Sequence, residues 1–241
     1  EADVAACEEA GDQPATADAL VELAVWARTH SKFDDAQVHL ERALALREEA
    51  FGAGSAEVAA THNSLGNLFA VQRNLARARE FYNTALDMQT ALGDELRASE
   101  TVTNLGSLAE ASKDYVLAEE HFQRALAIQE AQLGDHYHTA ATLSNLGSLY
   151  EKVWRSTPPS SQDSEDCLTR ALGVLEAAYT PDSLEVAAAS NNLAGLLKKL
   201  GKFEEAKPLY ERTRAVRRKF LGADSVEYAN ATFNMGLLHE Q

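Results

Sequence analysis

Apolar residues recur along this chain at helical spacing, in blocks that repeat about every 40 to 42 residues. One block shows the pattern clearly. Leu105, Leu108, Tyr115, Phe122, Leu126 and Ile128 form an apolar stripe, and small residues break it at Gly106, Ala118 and Ala125. The stretch Asn104-Leu105-Gly106-Ser107-Leu108 returns 41 residues later as Asn145-Leu146-Gly147-Ser148-Leu149. Looser copies stand at Ser64-Leu65-Gly66-Asn67-Leu68, Asn192-Leu193-Ala194-Gly195-Leu196 and Asn234-Met235-Gly236-Leu237-Leu238, and a degenerate one at Glu22-Leu23-Ala24-Val25-Trp26. Thirteen residues after the key Leu comes Ala, as Ala36, Ala78, Ala118 and Ala206. Seven further on is another small residue, at Ala43, Ala85, Ala125, Ala171 and Thr213. A fixed period of this length is the signature of a stacked-repeat protein.

Small residues at these places let two antiparallel helices approach closely. Each unit therefore reads as a helix A, a short turn and a helix B. The turns are predicted at Ser31-Lys32-Phe33, Ser112-Lys113-Asp114-Tyr115 and Leu200-Gly201-Lys202-Phe203. Corners between units are predicted at Ala91-Leu92-Gly93-Asp94, Gln132-Leu133-Gly134-Asp135-His136 and Phe220-Leu221-Gly222-Ala223-Asp224. One hairpin cannot bury its apolar face alone, so neighbouring units must stack.

The order of turn, aromatic, Ala, aromatic, Ala resembles the tetratricopeptide repeat, whose usual length is 34 residues. The longer period and the Leu-Gly-x-Asp corners are similar to the kinesin light chain and nephrocystin-like branch. The resemblance covers about residues 15–241. It implies an all-α, right-handed α-solenoid of antiparallel helix hairpins, with the A helices lining a concave groove.

Within this frame residues 1–14 form a tail or the remnant of a preceding helix. The single solenoid of residues 15–241 divides into repeats at about 15–54, 55–94, 95–135, 136–181 and 182–224, with a partial repeat at 225–241. The fourth repeat is longer: Leu146 lies 47 residues before Leu193. The excess falls on residues 155–163, predicted as an inserted polar loop holding Pro158 and Pro159. Its Thr157, Ser160 and Ser161, with Ser164 beside it, are candidate phosphorylation sites on an exposed segment.

Charge narrows the choice of partner. The formal net charge of −15 disfavours wrapping nucleic acid or lying on an anionic membrane. No apolar run is long enough for membrane insertion. Cys7 and Cys167 have no metal or redox spacing, so a reducing, cytoplasmic setting is the default, although the first residue, Glu1, leaves room for a targeting segment removed earlier. Residues 198–219 run against the overall balance with nine cations and three acids. They read either as a solvated outer face or as a landing patch for an acidic partner segment.

No sequence feature points to catalysis, a cofactor or a metal. His136 and His138 are two apart and do not share a helical face as zinc ligands would. No phosphate loop or nucleophile elbow occurs. The resemblance places the residue before each key Leu in the groove: Glu22, Ser64, Asn104, Asn145, Asn192 and Asn234. Neighbouring candidates are Asn63, Asn67, Lys152, Asn191, Lys198 and Lys199. Asn costs about 0.5–0.7 kcal/mol against Ala within a helix, so helix stability does not explain four of them in register. An amide offers both donor and acceptor, which suits gripping an extended backbone. Duplication, or Asn bridging adjacent A helices, is the structural alternative. Cationic carboxylate-clamp positions of the family fall here on Asp18, Ala60, Glu100, Ala141, Ala188 and Asn230, and none is a cation.

The sequence thus predicts a non-catalytic protein-interaction scaffold that binds an extended peptide or partner segment. Two alternatives stand beside it: a regulatory or targeting domain of a larger enzyme or signalling protein, and self-association through the C-terminal helix.

Overall fold

The computed structural model describes residues 2–134, 136–153 and 161–239. Among these the regular structure is helical: α1 (Ala2–Glu9), α2 (Gln13–Thr29), α3 (Phe33–Phe51), α4 (Ala56–Val71), α5 (Leu75–Ala91), α6 (Glu95–Ala111), α7 (Tyr115–Leu133), α8 (Tyr137–Val153), α9 (Ser161–Ala178), α10 (Leu184–Lys199), α11 (Phe203–Leu221) and α12 (Val226–His239). The fold class is all-α, built from helical repeats. Packing groups residues 1–121 into one compact unit and residues 122–241 into a second.

In the first unit α2 pairs with α3 and α4 with α5, while α3–α4 and α5–α6 contacts join successive hairpins. Its apolar core contains Leu40, Leu65, Leu68, Phe69, Tyr82, Leu105 and Leu108. A smaller cluster joins Val4 of α1 to Ala17, Leu20 and Ala43, so the N-terminal segment is a helix docked on α2. In the second unit α8 pairs with α9 and α10 with α11, and α9–α10 and α11–α12 contacts continue the stack. Leu143, Leu168, Leu175, Leu193, Leu196, Tyr210 and Met235 lie in its core.

Local chemistry explains the ends of the helices. At the turns after α2, α4, α6 and α10, the N–H groups of Lys32, Asn74, Asp114 and Lys202 reach back to the carbonyls of Ala27, Phe69, Ala109 and Leu197 at 2.8–2.9 Å. This is a Schellman closure, which needs one left-handed residue. Ser31, Arg73, Lys113 and Gly201 supply it, with φ of 59°, 62°, 63° and 77°. The corners between repeats place glycine at positive φ, at Gly52, Gly93, Gly134 and Gly222, and at Gly93 the Asp94 N–H closes back to the Gln89 carbonyl at 2.9 Å in the same way. Ser55, Ser183 and Ser225 then cap α4, α10 and α12 by accepting from the N–H three residues on.

The small residues sit where the helices meet. Ala36, Ala78, Ala118, Ala125, Ala171 and Ala206 have no solvent exposure. A Cβ added at Gly66 would lie 2.5 Å from the Tyr82 ring, and one at Gly147 would lie 2.8 Å from Leu168.

Three sequence expectations need adjusting. The inserted loop was expected over 155–163; residues 155–160 lie outside the described residues, but Ser161, Gln162 and Asp163 already belong to α9. Ser164 is not on an exposed segment. It is fully buried, and its hydroxyl donates to the Gly147 carbonyl at 2.7 Å, closing α8 on α9. The first repeat also departs from its siblings. Leu23 is only half-buried and Trp26 is exposed, while Leu20, Ala24 and Ala27 form the core side of α2. The Trp26 ring stacks on His30 at 4.2 Å, with the Lys32 ammonium 5.1 Å from its centroid.

Candidate functional site

The ten asparagine and lysine groove candidates divide between the two units and do different work. In the first unit the Asn104 amide donates to Asn63 Oδ1 at 3.0 Å, linking α6 to α4. Asn67 is also engaged, because Tyr82 donates its hydroxyl to Asn67 Oδ1 at 2.8 Å. Burial raises the Tyr82 pKa, so the phenol stays protonated and remains that donor. Asn104, Ser107, Val71, Arg73 and Tyr82 line a cleft of about 420 Å³.

The second unit repeats the first arrangement once: Asn234 donates to Asn191 Oδ1 at 3.3 Å, joining α12 to α10. Lys199 forms an ion pair with Glu151 of α8, and the Lys198 ammonium lies 6.0 Å from the Tyr210 ring. Lys152 is exposed at the end of α8. Asn145 and Asn192 differ from the other asparagines. Among the described residues their side chains make no hydrogen bond, and both line an open cleft of about 430 Å³ between α8 and α10. Tyr137, Ser144, Leu184 and Glu185 complete its polar and apolar rim, over a floor that includes Leu175 and Ala189.

Elsewhere in this unit, the basic run of residues 198–219 is largely spent on the fold. Lys202 bonds Glu165 at 2.6 and 2.8 Å, which raises the lysine pKa, and Lys219 meets Asp182 at 3.0 Å. Arg212 pairs with Glu176, and Arg217 donates to the Glu227 carbonyl at 3.1 Å. With Lys199, five of the nine cations are held by neighbouring helices. The exposed remainder on α11 is Lys207, Arg214 and Arg218, fewer unpaired cations than the sequence suggested.

Sequence reasoning missed two features. One is the cleft rim, since Tyr137, Leu184 and Glu185 lie at helix starts of two different repeats. The other is a buried polar seam between successive repeats. Thr101 donates to Gln89 Oε1 at 2.8 Å, and Thr142 to Gln129 Oε1 at 2.8 Å. Arg47 takes the same place toward Thr61 at 2.8 Å, and also pairs with Asp18 at 2.6 Å. The available signal was Thr four residues before the key Leu at 61, 101 and 142, with a polar partner four residues after the second small residue.

His136 and His138 stack with ring centroids 5.3 Å apart. Burial raises the Cys167 thiol to about 11, so it is a poor nucleophile near neutral pH. No group of three or more His, Cys, Asp or Glu side chains is gathered for a metal ion among the described residues. No helix there is long and apolar enough to cross a membrane.

Known proteins of this architecture are similar in fold. BtubC (BKLC) from P. vanneervenii superposes with a TM-score of 0.74 at 19% identity, covering 92% of this chain and 90% of its own. Kinesin light chain TPR-like repeats from Podosopora anserina give 0.66 at 18% identity, covering 86% and 97%. Aspartyl phosphate phosphatase F from Bacillus subtilis gives 0.75 at 17% identity, with 94% of this chain matched to 55% of that longer one. No curated protein sequence matches the chain. The tetratricopeptide repeat family model matches residues 15–91, 96–153, 161–219 and 185–241. The chain therefore belongs to the tetratricopeptide repeat family.

Proposed function

We propose that this chain is a non-catalytic scaffold that binds an extended peptide or partner segment along its A helices. Tetratricopeptide repeats are generally protein-interaction scaffolds, which supports the coarse reading. One observation carries the finer one. Asn145 and Asn192 stand in register on α8 and α10, use none of their hydrogen-bonding capacity within the described residues, and line the cleft between those helices. A polar pair that helix propensity disfavours and the fold does not use is available to a ligand backbone.

Asn63, Asn67, Asn104, Asn191 and Asn234 would then act mainly by fixing the helices that flank a bound segment, since they already bond one another or Tyr82. Lys152, Lys198 and Lys199 mark the C-terminal ends of α8 and α10 as the side where acidic residues of a partner would lie.

The test uses peptides selected from a displayed random dodecapeptide library and then synthesised. Changing Asn145 and Asn192 together to Ala should weaken the best peptide by about 1–3 kcal/mol, roughly 5- to 150-fold by calorimetry. Stability should hold or rise slightly, since Ala is the better helix former. Unchanged affinity in the double variant overturns the groove reading.

Self-association is a second reading, favoured by Val226 and Phe233, which are 70% and 66% exposed on α12. Light scattering of the chain against Phe233→Ser tests it. A mass that is monomeric in both rejects it.

A further inference from the structure

We propose that the cleft between α8 and α10 is a pocket for a basic side chain, lysine or arginine, of the bound segment, with Glu185 as its counter-charge. This rests on the groove reading above and adds the chemistry of one ligand residue.

The cleft is lined by Tyr137, Ser144, Asn145, Leu184, Glu185 and Asn192 over a small apolar floor. Glu185 is the charged residue in that lining, and no cation pairs with it among the described residues. Its neighbours are different. Glu151, Glu165, Glu176 and Asp182, which lie at the seams of the same unit, are each matched by a lysine or arginine of α10, α11 or the turn between them. A first-turn Glu also favours the helix dipole, and Glu57 and Glu227 do that at the same place on α4 and α12. Of the three, Glu185 alone lines this cleft.

The walls select the rest of the side chain. Tyr137 and Leu184 are 43% and 38% exposed and both line the cleft, and the Tyr137 ring packs at a steep angle to Tyr179 and His138. A lysine or arginine stem is apolar along its length and carries its charge at the tip. Laid between Tyr137 and Leu184, the stem covers both while the tip reaches the Glu185 carboxylate. A half-buried carboxylate makes a charge-assisted hydrogen bond there. The two free amides, Asn145 and Asn192, remain for the peptide backbone on either side. An acidic residue in this place meets like charge, and a purely apolar one desolvates Glu185 without a partner.

The experiment begins with the same random dodecapeptide library displayed against the intact chain, at neutral pH and low salt. Lysine or arginine should be enriched at one fixed position of the selected peptides. For the best synthetic peptide, Glu185→Gln should weaken binding about 5- to 20-fold, as for loss of one charge-assisted bond at a half-exposed site. Replacing the peptide's basic residue with norleucine should make wild type and Glu185→Gln equal. Helical circular dichroism of Glu185→Gln should match wild type, since Gln keeps the shape.

Peptides that carry acidic or apolar residues at the fixed position overturn the inference, as does a Glu185→Gln variant that binds like wild type. Sensitivity to the Asn145→Ala, Asn192→Ala pair separates the two levels. If that pair weakens binding while Glu185→Gln does not, the groove stands and the basic pocket falls. If neither matters, or no peptide is enriched above background, both fall.

Discussion

Replacing Gly147 by Ala places one methyl group where α8 and α9 touch. The added Cβ would lie 2.8 Å from Leu168 Cγ, 3.0 Å from its Cδ2 and 3.2 Å from the Ser164 carbonyl oxygen. Leu168 is 1% exposed, so its branched end has nowhere to turn. Nor can α9 step back freely, since the Ser164 hydroxyl holds the Gly147 carbonyl at 2.7 Å. Overpacking of this kind costs about 1–3 kcal/mol, and Ala returns about 0.8–1.0 kcal/mol of helix propensity. The sum is a net loss of about 0–2 kcal/mol. Ala24 and Ala194 occupy the same place in the first and fifth repeats, in the same apolar cores as Leu40 and Tyr210, so the site can be built around a methyl group. The cost at Gly147 is that of refitting one hairpin. Gly173 is the internal control: it lies within α9 of the same unit, is exposed, and a Cβ there would meet nothing within 4 Å. Gly173→Ala should therefore stabilise by about 0.5–1 kcal/mol. In thermal melts followed by helical circular dichroism, Gly147→Ala should fall by up to about 8 °C and Gly173→Ala rise by about 1–4 °C. A Gly147→Ala protein melting above wild type, as Gly173→Ala should, would refute the close approach of α8 and α9.

Ala125 is fully buried on α7 in the second unit, so Ala125→Leu should cost about 1–3 kcal/mol, read as a lower midpoint in urea unfolding. His62 gives a pH prediction. Burial lowers its pKa below 6.5, against a smaller opposing pull from Glu48, so the unfolded chain takes up the proton more readily than the folded one. The stability this group contributes is complete above 6.5 and lost as pH falls below that value. The fall between about pH 7 and 5 should be shallower in His62→Phe, where the ring still packs on Phe81 and cannot titrate; equal slopes would reject the assignment.

The hairpins were legible because small residues set backbone separation, and that constraint survives at fixed spacing: Ala36, Ala78, Ala118 and Ala206 are each sealed where the pattern put them. The first repeat was harder. The key-Leu register applied to α2 points to Leu23 and Trp26, whereas the buried set is Leu20, Ala24 and Ala27. The asparagines were legible as a row and not as a set of roles. Asn63 and Asn191 sit two residues before a key Leu, and there they receive the amide of the next repeat's Asn104 and Asn234. The corresponding residue before Asn192 is Ser144, whose short side chain does not reach it, and Asn192 stays open with Asn145. The cleft itself could not be read from one repeat. Tyr137 and Glu185 come from helix starts 48 residues apart in sequence, brought together by stacking across the lengthened fourth repeat.

The buried polar seams explain how similar hairpins keep their order. Repeats that stack through one shared apolar surface can exchange neighbours at little cost, whereas an unmatched buried amide is penalised. Gln89 meets Thr101 between α5 and α6, Arg47 meets Thr61 and Asp18 at the preceding seam, and Leu175 with Ala189 makes an apolar contact at the same register between α9 and α10. Thr101→Ala alone removes the donor to Gln89 Oε1, in a side chain 4% exposed, and should cost about 1–3 kcal/mol. Gln89→Leu alone should cost less, because the Thr101 hydroxyl has Asn63 Oδ1 within 3.4 Å as a second acceptor. Gln89→Leu with Thr101→Ala rebuilds the Leu–Ala seam found between α9 and α10, so its cost should fall short of the summed single costs by about 0.5–3 kcal/mol. Urea unfolding of the four proteins measures that coupling. Strict additivity would mean that the Gln89–Thr101 bond adds nothing to the seam, and that apolar packing alone keeps the repeats in order.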